Sequence, residues 1–202
     1  MKFLKSWLQD YIVETLPKNE VVVEALNKKS FEVEEIILLG DDTIFDIKVL
    51  PNRAHDALGH VCMAKELCAD LGLTFKKDDR IKKSEAFFDA NISPPIVEID
   101  DEKACTRFMS MRIDGIKVGP SPKWLKERLE AIGQRSINNI VDVTNYIQFS
   151  LNKPMHAYDA RSIKGTLRAR FAKKGEILTT LDDKELKLDK ATLVIADDEK
   201  TL

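Results

Sequence analysis

The sequence predicts an α+β protein in two parts: a small N-terminal helix/strand lobe over residues 1–80, and a mixed α/β region over residues 81–202. Three observations predict this class. Some segments carry apolar residues at helical spacing, and others alternate apolar and polar residues as strands do. Between the two parts, the run KKDDRIKK at residues 76–83 is charged and has no apolar periodicity, which is typical of an exposed linker.

Two helices are predicted at the start of the lobe. The first is indicated by apolar residues at helical spacing, at Phe3, Leu4, Trp7, Leu8, Tyr11 and Ile12. Pro17 ends it, because the residue before a proline avoids the helical conformation. Asn19 is the predicted N-cap of the second helix, over residues 20–29.

The rest of the lobe is predicted to contain two strands, a turn and a third helix. These elements cover residues 30–36, 43–49, 51–53 and 58–71, in that order. Gly72 directly follows the third helix and suits a left-handed C-terminal cap.

The second part begins with the alternating run TRFMSMRIDGIKV, residues 106–118, which predicts a long strand or a pair of strands. Ser121 and Pro122 are predicted to begin a helix, since serine caps helices and proline suits the first helical position. Its buried stripe is Leu125, Leu129 and Ile132, and Gly133 closes it. The remaining predicted elements are an extended link over 135–139, a short helix over 140–149, strands over 165–171, 177–180, 185–188 and 192–196, and a turn at 182–183.

Composition excludes several classes of protein. The chain is 44% hydrophobic and 33% charged, as ordinary soluble globular proteins are. Its net charge of −2 provides no overall basic field, so any RNA contact must come from local patches. No apolar run approaches the roughly 18–20 residues of a membrane span, and the N-terminus does not read as a signal peptide. Three cysteines without metal-ligand spacing indicate reduced thiols, a cytoplasmic location and no metal site.

Polar residues are concentrated around a short apolar segment in NNIVDVTNYIQFSLNKPMHAYD, residues 138–159. A buried polar group without a partner costs roughly 1–3 kcal/mol, so such a concentration needs an explanation. Two explanations remain open, which are capping of turns and lining of a polar pocket. The polar residues are Asn138, Asn139, Asp142, Thr144, Asn145, His156, Tyr158 and Asp159.

Several motifs resemble the β subunit of bacterial phenylalanine–tRNA ligase over nearly the whole chain. They are MKFLKSWLQDYI at the start, SFEVE, DIKVLPNRAHDALG, the long run GIKVGPSPKWL at residues 115–125, VDVTNY and PMHAYD. Ser30 and Leu50 depart from the family pattern. Many members insert an oligonucleotide-binding barrel between the positions of Gly40 and Asp41, where this chain has room only for a turn. The family pattern also continues beyond Leu202, so the resemblance implies an N-terminal fragment that ends inside the editing domain.

The resemblance implies a function for residues 81–202, as part of the B3/B4-type editing domain of the β subunit. That domain hydrolyses tyrosyl-tRNA mischarged by an enzyme that attaches phenylalanine to its tRNA. Thr144, Asn145 and His156 match or adjoin positions of its editing pocket, and no residue is assigned to aminoacylation. ATP and magnesium are implied for the whole enzyme but no cofactor for this segment. The implied partners are tRNA and the α subunit, in a heterotetramer of two α and two β chains.

The residues also allow interpretations in which the chain has no catalytic function. A non-enzymatic scaffold or RNA-docking module of the same fold is the alternative function, and the full-length reading frame would discriminate between the two. Without the resemblance, His156 is most simply a turn residue beside Pro154, and His60 a helix-start residue. Arg53, His55 and Asp56 are most simply a surface turn. No phosphate-cradling glycine loop is present, so the isolated segment is predicted to be inactive in aminoacylation.

Overall fold

A computed structural model describes residues 1–76, 91–180 and 184–202 of the chain. Both helices and strands are present, in agreement with the predicted α+β class. The chain forms two compact units, each assembled from two separate stretches: Met1–Phe87 with Lys117–Ala157, and Phe88–Ile116 with Tyr158–Leu202. The division into residues 1–80 and 81–202 stays a prediction. The charged linker predicted at residues 76–83 lies almost entirely outside the described residues.

Among the described residues, the first unit contains a three-stranded antiparallel sheet and six helices. The strands lie in the order β1-β3-β2, with Lys2–Leu4 as β1, Glu32–Leu39 as β2 and Asp42–Lys48 as β3. The helices are α1 Lys5–Gln9, α2 Asn19–Lys29, α3 Ala54–Ala57, α4 His60–Leu71, α5 Lys123–Ala131 and α6 Asn139–Leu151. A 3-10 turn at Pro51–Arg53 precedes α3, where a turn was predicted.

The connection between β2 and β3 is a two-residue hairpin loop. Leu39 pairs with Asp42, so only Gly40 and Asp41 lie between the strands. Gly40 has a φ of 58°, which suits a glycine at the first central position of a type II′ turn. The predicted turn between Gly40 and Asp41 is therefore confirmed.

A single hydrophobic core holds the two stretches of the first unit together. The N-terminal stretch supplies large buried side chains, and α5 adds its predicted stripe to the same cluster. Leu125 and Leu129 are fully buried and Ile132 nearly so, which confirms the stripe. The largest fully buried side chains are Trp7, Phe3, Phe45, Leu8, Leu26, Ile47, Met63, Leu67, Leu125 and Leu129.

The second unit is built from short strands. In chain order, the strands are β4 Val97–Ile99, β5 Leu167–Phe171, β6 Ile177–Thr179, β7 Glu185–Lys187 and β8 Leu193–Ala196. β4 pairs in parallel with β5, and β5 pairs antiparallel with β8. β6 and β7 form a separate antiparallel pair. Four of the five lie within predicted strands, and β4 was not predicted. The turn predicted at 182–183 falls outside the described residues.

An internal ion pair holds β5 to the turn before β6. The Arg170 guanidinium donates to both carboxylate oxygens of Glu176, at 2.9 and 2.7 Å, and the Thr201 hydroxyl also donates to Glu176. The Arg170 hydrogen bonds, supported by Thr201, hold the pKa of Glu176 well below its usual value despite burial.

Two of the predicted elements are wrong. The first predicted helix begins instead with β1, because Lys2–Leu4 pair with Ile44–Asp46 and tertiary pairing outweighs the helical pattern. Residues 106–118 form no strand, since no described strand lies beside them to supply hydrogen bonds. Most of their apolar side chains are exposed, with Met109 77% accessible to solvent, while Phe108 is half-buried.

The cap of α2 also differs from its prediction. Asn19 is the first residue of the helix, not its N-cap, which is Lys18. The Asn19 side chain instead accepts a hydrogen bond from Lys5 and donates one to Thr43. At the end of α4, Gly72 takes the predicted left-handed conformation with φ 68°.

Candidate functional site

Helix α6, Asn139–Leu151, carries most of the polar stretch that the sequence singled out. The Asn138 side chain caps its start by accepting hydrogen bonds from the N–H groups of Ile140 and Val141, both at 3.0 Å. Asn152 caps its end in the left-handed conformation, φ 56°, and donates its N–H to Gln148. Both asparagines are therefore explained by capping, the first of the two predicted explanations.

Asp142 lies fully buried in the first turn of α6. Its carboxylate accepts hydrogen bonds from the hydroxyls of Ser121 and Ser136 and from the N–H of Ile137. Burial opposes the charged form, but these hydrogen bonds outweigh it and hold the pKa of Asp142 below its usual value. Ser121 was predicted to cap α5; its hydroxyl donates to Asp142 instead, and Pro122 occupies the N-cap position.

Asn139 ties the start of α6 to the segment that precedes α5. Its side chain accepts a hydrogen bond from the N–H of Gly119 and donates one to the carbonyl of Lys117, both at 3.0 Å. Its own N–H donates to the Gly119 carbonyl at 2.9 Å. Hydrogen bonds to backbone groups and to neighbouring loops therefore give a structural role to Asn138, Asn139 and Asp142.

The structure places the three predicted editing residues on or after α6. Thr144 and Asn145 are half-buried near the middle of the 13-residue helix. The Thr144 hydroxyl donates to the carbonyl of Val141 at 2.7 Å. His156 is exposed in the irregular segment after the helix. That Thr144, Asn145 and His156 belong to one editing pocket stays a prediction.

Two of the surface depressions among the described residues lie in the first unit. One, of about 550 Å³, is lined by residues 27–33. The other, of about 260 Å³, lies beside α5, where Trp124 and Arg128 contribute to its wall together with residues of the sheet. Neither depression is lined by Thr144, Asn145 or His156.

His60 is the buried residue that sequence reasoning undervalued. It is the first residue of α4, as predicted, but its side chain is fully buried. Nε2 accepts the N–H of Leu4 at 3.1 Å, and Nδ1 lies 2.9 Å from the carbonyl of Phe149 in α6. Because an amide only donates and a carbonyl only accepts, Nδ1 must carry the proton. Burial lowers the pKa of His60 to about 3, so the ring is neutral at pH 7.

An aromatic stack continues from His60 to α6. The Trp7 ring lies between His60, at a centroid distance of 3.9 Å, and Tyr146, at 4.8 Å. Trp124 meets the Tyr146 ring edge-on at 5.4 Å. A histidine next to a glycine at the start of an amphipathic helix was the only sequence signal of this arrangement.

Arg53, His55 and Asp56 lie at the surface, as the interpretation without catalysis expected, but only Arg53 belongs to the 3-10 turn, whereas His55 and Asp56 lie in the one-turn helix α3. Arg53 makes a two-pronged ion pair with Asp56 and a second ion pair with Glu66. The His55 side chain is 78% exposed. Within residues 1–76, 91–180 and 184–202, no group of three or more His, Cys, Asp or Glu side chains is arranged to hold a metal ion.

None of the helices in the described ranges has both the length and the apolar character required to cross a membrane.

Comparison with known proteins identifies relatives of the chain. Residues 104–202 match the family model of the B3/4 domain. Phenylalanine–tRNA ligase β subunits of Fusobacterium nucleatum and Geobacter metallireducens are 41% and 44% identical over 162 and 160 residues, which is 80% and 79% of this chain. The chain spans about a fifth of the length of these curated relatives.

A solved structure, an N-terminal fragment of the phenylalanyl-tRNA synthetase β-subunit from Pyrococcus horikoshii, aligns with a TM-score of 0.47 at 14% identity, over 100% of this chain and 60% of that one. That likeness is too distant to carry an argument. The sequence matches identify the family: the chain contains a B3/4 domain over residues 104–202, and about four-fifths of the chain is homologous to phenylalanine–tRNA ligase β subunits.

Proposed function

We propose that the chain is a segment of the β subunit of a cytoplasmic phenylalanine–tRNA ligase and contributes to hydrolysis of tyrosyl-tRNA. The observation that carries this proposal is the 41% identity to such a subunit over 80% of the chain, together with the B3/4 domain. The whole enzyme would attach phenylalanine to its tRNA with ATP and magnesium, and its α subunit and tRNA would be the partners.

A hydrolytic site has a physical reason to exist in such an enzyme. A hydrophobic pocket built for phenylalanine rejects the same ring with a hydroxyl by only about 10²-fold. Hydrolysis of the wrong product at a second site supplies the remaining selectivity. That site must recognise a phenolic hydroxyl and position a water against an ester.

Three side chains on or after α6 have the functional groups for this task. The Asn145 amide offers a donor and an acceptor to a phenol or an ester. The exposed imidazole of His156 can exchange a proton with water or the leaving group. Thr144 already donates its hydroxyl proton to Val141, so its oxygen can only accept a further hydrogen bond.

The test uses the complex of the α subunit with the polypeptide that contains these residues. We expect Asn145→Ala and His156→Ala to slow hydrolysis of tyrosyl-tRNA by about 10²-fold, the effect typical of a lost acid–base or positioning group. Charging with phenylalanine should change far less. Single-turnover deacylation and steady-state charging measure the two activities.

Two matched variants control for this experiment. Asn52→Ala and His55→Ala replace an exposed asparagine of the 3-10 turn and an exposed histidine of α3 and should leave both activities unchanged. Equal losses of hydrolysis and charging in the Asn145 and His156 variants would mean that both residues are structural. Unchanged hydrolysis would remove them from the editing site.

The isolated chain of 202 residues should not activate phenylalanine. Its sequence has no glycine-rich phosphate-binding loop, so ATP has no recognisable site. Phenylalanine-dependent exchange of pyrophosphate into ATP should be undetectable with the chain alone and present with the complete enzyme. Exchange above the background of a no-protein reaction would contradict the proposal.

A scaffold or RNA-docking role without catalysis is the second candidate. It is favoured by the observation that Asn138, Asn139 and Asp142 of the same polar stretch hold helix α6 and neighbouring loops in place. Full editing activity in both the Asn145→Ala and the His156→Ala variants, with intact charging, would support this candidate.

A further inference from the structure

The last turn of α6 and its C-cap are held by close contacts with α3 and with the start of α4. Three residues make them: Gly59, His60 and Asn152, which we call the α6 dock. We propose that the α6 dock positions Asn145 and His156 for hydrolysis, an inference that rests on the proposed function of those two residues.

The first contact is a close approach of backbones. A methyl group added at Gly59 would lie 2.7 Å from the Asn152 nitrogen and 2.8 Å from the Ser150 oxygen. Such distances are far inside van der Waals contact, and both atoms belong to rigid backbone. Because the φ of Gly59 is an ordinary −133°, the glycine is required for space and not for conformation.

The second contact is a side-chain tether. Asn152 takes the left-handed conformation that ends α6, and its Nδ2 donates to the carbonyl of Ala54 at 2.7 Å. Glycine would end the helix equally well, since it adopts a positive φ without strain. Asparagine at this position therefore adds the bond to α3, which the cap alone does not need.

The third contact occupies a carbonyl at the C-terminal end of the helix. The last four carbonyls of a helix have no partner within it. One of them, Phe149, accepts the Nδ1 proton of His60, while Nε2 of the same ring is held by Leu4. The ring thereby links β1, α4 and α6 in one buried position.

On the α6 side, the residues that make these contacts, Phe149, Ser150 and Asn152, lie between the two proposed editing residues along the chain. Asn145 precedes the dock by about two helical turns, and His156 follows Asn152 by one short irregular segment. Loss of these contacts would displace both the end of α6 and the segment that leads from it to His156. A displacement of about 1 Å in a reacting group can cost about 10²-fold in rate.

Asn152→Gly isolates the tether, because it keeps the left-handed cap and deletes only the bond to Ala54. In the α/β complex we expect kcat for tyrosyl-tRNA hydrolysis to fall about tenfold with KM and phenylalanine charging within about twofold. Gly59→Ala should have a larger effect in the same direction. A general loss of stability would instead lower charging and hydrolysis together.

Two controls match these variants. Asn52→Gly makes the same chemical change at an exposed position, and Gly119→Ala adds a methyl group where no atom lies within 4 Å. Both should retain hydrolysis and charging.

Hydrogen exchange of the 202-residue chain separates failure of this inference from failure of the proposed function. In Asn152→Gly, loss of the tether should speed exchange of the backbone amide at position 152, relative to its intrinsic rate, by about two- to tenfold. An unchanged exchange rate would show that the bond from Asn152 to Ala54 does not stabilise the end of α6. Faster exchange with undiminished hydrolysis would overturn positioning if Asn145→Ala and His156→Ala do impair hydrolysis. If those two variants also leave hydrolysis intact, the proposed editing role has failed, and the positioning inference falls with it.

Discussion

Trp7→Ala is expected to lower the free energy of unfolding by about 3–5 kcal/mol, the usual cost of truncating a large buried aromatic side chain. Trp7 is fully buried and stacks against both His60 and Tyr146, so its loss leaves a cavity between the N-terminal stretch and α6. Urea denaturation followed by far-UV circular dichroism measures the effect without relying on tryptophan fluorescence.

The second tryptophan of the chain is a matched control. Trp124 is 52% exposed, so Trp124→Ala should cost less than about 1.5 kcal/mol. Trp7→Phe should recover most of the lost stability. It keeps a stacked ring and removes the Trp7 N–H, a buried group without a hydrogen-bond partner among the described residues. Similar costs for the two alanine variants would show that Trp7 is not central to the core.

His60→Ala is the second change with a large expected effect, about 3–5 kcal/mol at pH 7. It leaves a cavity and strands two buried backbone groups, the Leu4 N–H and the Phe149 carbonyl, at roughly 1–3 kcal/mol each. His55→Ala, at an exposed position, should change stability by less than about 0.5 kcal/mol. Equal costs for the two histidine variants would contradict the structural role of His60.

The same variant should alter how stability depends on pH. The pKa of His60 is about 3 in the folded chain, whereas an unfolded histidine titrates near 6.5. Between these values the unfolded state binds more protons, so stability from this residue is complete above about pH 6.5 and is lost as pH falls toward about 3. The loss approaches 1.4 kcal/mol per pH unit. The difference between wild type and His60→Ala should therefore be smaller at pH 5 than at pH 7, and a constant difference would refute the linkage.

Local patterns predicted those elements whose periodicity and tertiary surroundings agree. The stripe of Leu125, Leu129 and Ile132 and the cap at Gly72 are examples, since burial or a positive φ required those residue types. β1 was missed because Lys2–Leu4 also fits a helical pattern, and only its pairing with β3 decides between the two. Residues 106–118 show the reverse case, in which an alternating pattern found no described strand to pair with.

Much less of the candidate site could be predicted from the sequence. Asn138, Asn139 and Asp142 were recognised as unusual, but their roles depend on partners such as Gly119 and Ser136, whose proximity no local pattern reveals. The same holds for Gly59, where the need for glycine arises from a helix about 90 residues further along the chain. Long-range contacts of this kind are invisible to periodicity.

The core of the first unit has a consequence for its synthesis on the ribosome. The contacts from His60 to Phe149 and from Ala54 to Asn152 join residues 89 and 98 positions apart. At translation rates of about 5–20 residues per second, several seconds separate the appearance of the two ends of each contact. During that interval the apolar faces of α4 and β1 have no α6 to cover them. We therefore expect these apolar faces of the nascent chain to stay exposed, and prone to aggregation, until Asn152 has left the exit tunnel.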